Sequence, residues 1–190
     1  MRNRWTRLAG AAVVMATVTM SVAAQTQAPG RLAYTPAPAW KPVAVTSMMR
    51  VGEFALPKAG TDQEDASLIV YFFGGTGGTV QANIDRWLGH INQPDGRPTK
   101  EVATITRRLI NGLSVSEFDA TGTYVAEVSP GSPERHNKPG FRLRAAVVET
   151  PRGPYFVRVV GPSATVAKWA PEIEAFFQSL TFSPTTSPLF

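Results

Sequence analysis

Leu68-Ile-Val-Tyr-Phe-Phe-Gly-Gly-Thr-Gly-Gly-Thr79, followed by Val80-Gln-Ala-Asn-Ile-Asp-Arg-Trp-Leu-Gly-His-Ile91, decides how this chain folds. Ala66 to Phe73 is β-branched and aromatic with no charge, the pattern of a central strand buried on both faces. The glycines then turn the chain, and Val80, Ile84, Trp87, Leu88 and Ile91 fall on one stripe of a helix over 79–91, with Trp87 as its anchor. Asn83, Asp85, Arg86 and His90 fall off that stripe. Arg86 has three possible partners: Asp85, a sheet-edge carboxylate or a ligand.

Strand, glycine loop and helix is also how nucleotide-binding proteins cradle phosphate. A Walker loop needs Lys followed by Ser or Thr after its last glycine, and Gly74-Gly-Thr-Gly-Gly-Thr-Val-Gln81 has no Lys. A dinucleotide fingerprint starting at Gly75 and Gly77 needs a third glycine where Val80 stands. The glycines therefore read as a tight turn with Thr76 or Thr79 capping the helix. A smaller role remains open, an anion held by Gly75, Thr76, Gly77, Gly78 and Thr79 at the helix start, with Asn83 and Arg86 nearby.

Working outward, the N-terminus carries Arg2, Arg4 and Arg7, then 17 uncharged residues from Leu8 to Ala24 that end in Val22-Ala23-Ala24. That is a signal peptide over 1–24 with cleavage before Gln25, and it places the chain in the periplasm or outside the cell. The run is short for a membrane anchor, which needs roughly 20 residues. Removing those three arginines from the formal +5 leaves 16 Lys and Arg against 14 Asp and Glu. So small an excess predicts no nucleic-acid partner. The chain has no Cys, which excludes disulfides, thiol catalysis and thiolate-bound metals. The expectation is a monomer with no membrane span once the signal is removed.

Residues 25–42 form a Pro-rich leader, which either wraps on the domain or acts as a linker; Leu32, Tyr34 and Trp40 argue that part of it packs. A single domain over 43–183 follows, with a tail over 184–190. Strands are predicted over 48–56, 101–110, 113–118, 124–128, 141–149 and 155–160, and Asn111-Gly112 is a hairpin turn. Val166, Trp169, Ile173, Phe176, Phe177 and Leu180 mark a closing helix that Pro171 kinks or restarts. The expected fold class is α+β, an antiparallel sheet of about six strands covered by two main helices.

No catalytic constellation stands out. His90 and His136 lie 46 residues apart with no ligand at metal spacing, and no Gly-x-Ser-x-Gly occurs. Asp62-Gln-Glu-Asp65 reads as a solvated acidic loop rather than a calcium loop. Arg107, Arg108, Arg142, Arg144 and Arg158 lie on strands, where neighbouring strands would gather them into a basic stripe or a solvated face. No cofactor or metal is expected. The leading expectation is an exported, non-enzymatic domain that binds a protein partner or assists an envelope complex. The alternative is a small anionic-ligand module using the 74–79 loop.

Met49-Arg-Val-Gly-Glu-Phe54, Val70-Tyr-Phe-Phe-Gly-Gly75, Gly77 to Trp87, Gly122-Thr-Tyr124, Phe141-Arg-Leu-Arg144 and Gly161-Pro162 follow one another in this order. Together they resemble an uncharacterised exported bacterial family associated with the PsbP-like α/β/α sandwich. The similarity spans about residues 40–182, and Asn83, Arg86 and Trp87 are its most specific part. The resemblance implies an antiparallel sheet between helices and a non-catalytic scaffold.

Overall fold

The computed structural model describes residues 30–183. The signal peptide expected at 1–24, the first five residues of the leader and the tail at 184–190 lie outside the described residues. Ten strands and three short helices are present among those described. In chain order the strands are β1 (Arg31–Ala33), β2 (Lys41–Pro42), β3 (Arg50–Leu56), β4 (Ala66–Phe72), β5 (Ile91–Asn92), β6 (Thr104–Ile110), β7 (Leu113–Tyr124), β8 (Lys138–Glu149), β9 (Tyr155–Pro162) and β10 (Thr181–Ser183). The helices are α1 (Val80–Leu88), α2 (Ser163–Lys168) and α3 (Ala170–Gln178).

One antiparallel sheet of eight strands dominates, in the order β2-β3-β4-β9-β8-β7-β5, with β6 also paired to β7; β1 and β10 form a separate ribbon. This corrects the expectation of an α+β sandwich with about six strands under two main helices. The molecule is mostly antiparallel β, and its helices are six to nine residues long. The extra strands are two or three residues long and carry too little sequence to show a period. The strand expected over 124–128 is absent: β7 runs unbroken from Leu113 to Tyr124, and an isolated bridge between Glu127 and Arg135 follows it.

Alternation along β4 explains the two cores. Leu68 and Val70 join Val157, Val159, Ile173, Phe176 and Phe177 on the face covered by α2 and α3. Tyr71 and Phe73 turn the other way, toward Phe118, Leu143, Phe156 and the α1 residues Ile84 and Trp87. Side chains two apart share a face, so a central strand feeds both. Burying each large aliphatic or aromatic side chain contributes about 1.5–3 kcal/mol. The described part of the leader lies on the α3 face. Leu32 and Trp40 are buried there, and Trp40 packs 5.9 Å from Phe176 and 6.5 Å from Trp169, edge-on to the latter. Pro171 stands in the first turn of α3, and Trp169 separates it from α2, so the proline restarts the helix.

The Asn111-Gly112 turn joins Ile110 to Leu113, both its residues having positive φ, +48° and +82°. Asn111 Nδ2 donates to the carbonyls of Gln178 and Leu180, which ties the hairpin to the end of α3. Arg108 makes a second tie, donating to Glu117 on β7 and to Glu174 on α3 at 2.8 and 2.6 Å.

Trp87 is 5% exposed, and Trp87→Ala should cost about 3–5 kcal/mol in urea unfolding. Hydrogen bonding from Arg108, opposed by partial burial, holds the Glu174 carboxyl down to about 2 from its ordinary 4.5. A carboxylate with a depressed pKa stabilises the fold fully above its unfolded value and loses that contribution as pH falls through the folded one. Melting temperatures measured between pH 5 and 2 should therefore fall less steeply in Glu174→Gln than in wild type.

Candidate functional site

The glycine loop is a structural turn. Gly74, Gly75, Gly77 and Gly78 all have positive φ. At Gly77, φ is +115° and a Cβ would sit 2.7 Å from the Phe156 ring, so only glycine fits there. Gly75 is pressed against Gly153 of the β8–β9 turn, where a Cβ on Gly153 would stand 2.5 Å from the Gly75 Cα. Thr76 Oγ1 donates to the carbonyl of Phe73, and Thr79 Oγ1 accepts the amide of Ala82 as the N-cap of α1. These contacts fix the shape of the loop, while Gly74, Thr76, Gly78 and Thr79 stay exposed. None of residues 74–79 lines the cavity described below.

Asn83 connects the loop to that cavity. It is 2% exposed, and its Nδ2 donates to the carbonyls of Gly77 and Thr79 at 2.9 and 2.8 Å. With both amide hydrogens committed, its Oδ1 faces the other way and accepts from Arg86 at 3.1 Å. Asp85 is engaged by Gln81 instead. Of the residues expected to form a site, Asn83 and Arg86 line a cavity; Gly75, Thr76, Gly77, Gly78 and Thr79 brace the helix that carries them.

The cavity exists because α1 is short. Nine residues make a helix of about 13 Å, whereas seven strands abreast span roughly 30 Å. The α1 face of the sheet is thus only partly covered, and a cavity of about 660 Å³ opens beside the helix. Arg86 and Trp87 of α1, with His90 just past its end, form one wall, Tyr71 and Arg158 of the sheet the floor, and the 126–131 loop another side. Arg50 and Met49 stand at the start of β3. Tyr71 is flanked by two guanidiniums, Arg50 at 6.0 Å and Arg158 at 5.8 Å from its ring centre, and it stacks on Phe73 at 5.9 Å and 6°.

The cavity is electropositive. Arg50 is paired with Glu53 at 2.6 Å. Among the described residues, no carboxylate stands within salt-bridge distance of Arg86 or Arg158. Arg158 Nε and His90 Nδ1 are buried without a hydrogen-bond partner, a costly condition for donors inside a protein. Burial, then the charges of Arg158, Arg135 and Arg86, push His90 down to about 4, against a smaller upward pull from Glu127. Glu127 on the rim is held by the Gly131 amide.

The remaining candidates separate. His90 and His136 both lie against Tyr124, at 6.3 and 5.3 Å between ring centres. No group of three or more His, Cys, Asp or Glu able to hold a metal occurs among the described residues. The arginine stripe does not form: Arg142 pairs with Asp119, Arg107 with Glu149 and Arg108 with Glu117 and Glu174, while Arg158 faces α1. Asp62 caps α2 by accepting the Thr165 amide and hydroxyl. No described helix is long and apolar enough to cross a membrane.

Sequence reasoning passed over Arg158 as a cavity residue. The alternation of Val157, Arg158 and Val159 marks it as facing away from one core. Only the second covered face turns that direction inward.

Gly77→Ala should destabilise the fold by about 1–3 kcal/mol through strain against Phe156, read as a lowered urea midpoint with an unchanged slope.

No family model matches this chain, and no curated protein matches it. Among solved structures it is similar to PA94, a Pseudomonas aeruginosa protein of unknown function, at 14% identity and a TM-score of 0.46, over 77% of this chain and 99% of that one.

Proposed function

We propose that this chain is an exported, non-enzymatic module that binds a small organic anion in the cavity beside α1. One observation carries the proposal: the guanidiniums of Arg86 and Arg158 line the same cavity, without carboxylate partners among the described residues, beside the rings of Tyr71 and Trp87. Arg158 is half-buried and Arg86 exposed, so an anionic ligand finds two cations in one cavity with no competing carboxylate among the described residues. Guanidinium forks match carboxylate and phosphate oxygens, and the aromatic walls accept an apolar body. This moves the anion from the helix N-terminus, where the sequence suggested it, to the C-terminal half of α1. Side-chain charge attracts it there, because the helix dipole at that end is unfavourable to anions.

The test uses the exported chain with benzoate, octanoate and inorganic phosphate, each organic acid set against its amide. At a hundredfold excess over Kd, a bound anion adds about 2.7 kcal/mol to stability. Benzoate or octanoate should raise the melting temperature, benzamide and octanamide should not, and Arg86→Met with Arg158→Met should abolish the effect. The His90 ring, followed by NMR, should titrate higher with the anion bound. If no anion stabilises the wild-type chain, or if the double variant responds as wild type does, the cavity is not an anion site.

A further inference from the structure

Resting on that anion site, we propose that its ligand is a planar aromatic monocarboxylate, held by Arg86 and Arg158 at the charged end and stacked in the aromatic part of the cavity.

Charge sets the valence. Arg50, Arg86 and Arg158 bring three positive charges to the cavity. Glu53 cancels one through its contact with Arg50, and Glu127 on the rim cancels another. His90 is neutral at pH 7, its burial and the surrounding arginines holding it near 4. Among the lining groups one positive charge is left, and Arg135, whose charge also reaches His90, adds to it, so a monoanion is attracted. Glu127, which lines the cavity, opposes a second negative charge on the ligand more than a first.

Shape sets the body. A cavity of about 660 Å³ is far larger than an inorganic anion needs and lies in the ordinary range for organic ligands. Its apolar lining carries four aromatic rings, Tyr71, Phe73, Trp87 and Phe156, beside Met49, Ala126, Val128 and Pro130. Tyr71 and Phe73 stack with their planes 6° apart, Phe156 packs against Phe73 at 5.5 Å, and Trp87 stands on the helix side. Aromatic surfaces favour offset or edge contacts with another ring. Met49 at the mouth is 55% exposed, and a methionine there is soft enough to close on ring edges. Tyr71 already lies against two guanidiniums, so a planar ligand placed beside it continues a cation and ring stack.

The polar end follows from the unpartnered polar atoms. Arg158 Nε is buried without a partner on a side chain that lines the cavity, and so is His90 Nδ1. A carboxylate has two oxygens and about four acceptor directions, enough for Arg158, Arg86 and a neutral histidine together. Asn83 fixes the Arg86 guanidinium in advance, so the ligand does not have to order it.

Isothermal titration calorimetry of the exported chain tests the ligand class with five probes: 2-naphthoate, benzoate, cyclohexanecarboxylate, phthalate and inorganic phosphate. The aromatic monoanions should bind at least tenfold more tightly than cyclohexanecarboxylate, phthalate or phosphate. Tyr71→Leu keeps an apolar side chain in the floor and should remove most of the preference for 2-naphthoate over cyclohexanecarboxylate while leaving the latter bound. Arg158→Met should weaken both carboxylates at least tenfold. Equal affinity for cyclohexanecarboxylate and 2-naphthoate, or tighter binding of phosphate or phthalate, overturns the aromatic monocarboxylate and leaves the anion site standing. Absence of binding by all five removes the anion site and the ligand class together.

Discussion

Burial of the sheet on both faces is the constraint on which the rest of this structure depends. β4 and β9 sit at its centre, and their alternate residues feed two separate cores. A sheet with one wet face can send every polar side chain to water. Here a polar residue at a central position must reach an edge, find a partner or line a gap in the covering layer. Arg142 and Arg144 meet Asp119, and Arg108 reaches Glu174 on the covering helix. Arg158 meets no carboxylate, and it opens on the gap that the short α1 leaves.

The glycine loop serves that gap indirectly. Its positive-φ glycines let β4 hand over to α1 while lying against Phe156 and Gly153. The carbonyls of Gly77 and Thr79 then consume both amide hydrogens of Asn83, which determines where Asn83 Oδ1 points and so where Arg86 is held. A loop that resembles a phosphate cradle is thus a positioning device for a cation two turns further on. Rigid placement of a binding side chain by buried hydrogen bonds reduces the entropy a ligand must overcome.

How much of this is legible in the sequence depends on the length of the signal. β4 and α1 have strong periods, and Asn111-Gly112 has a local conformational cause, so these elements can be read directly. β1, β2, β5 and β10 are set by what the chain packs against and leave no pattern of their own. The extension of β7 to Tyr124 passes through Thr121-Gly122-Thr123, which looks like a turn and is instead a register shift against β8. Asn83 and Arg86 can be found as polar residues beside an apolar helix stripe. Arg50, Tyr71 and Arg158 come together only through strand register: Arg50 lies opposite Tyr71 on β3 and β4, and Arg158 stands opposite Ile69, two residues along β4 on the same face.

The position of the cations relative to α1 also decides which physical effect attracts a ligand. At the helix start Thr79 Oγ1 already accepts the Ala82 amide, and Gly77 lies against Phe156. At the other end the helix presents carbonyls, whose partial charge repels an anion by a few tenths to about 1 kcal/mol. Guanidiniums in a partly buried cavity outweigh this, because a unit charge at 4 Å is worth about 4 kcal/mol at an effective dielectric of 20. His90 is held down first by burial and then by the charges of Arg158, Arg135 and Arg86, so that field adds to desolvation on a group already present. An anion held in the cavity and a proton on His90 each make the other more favourable, by linkage.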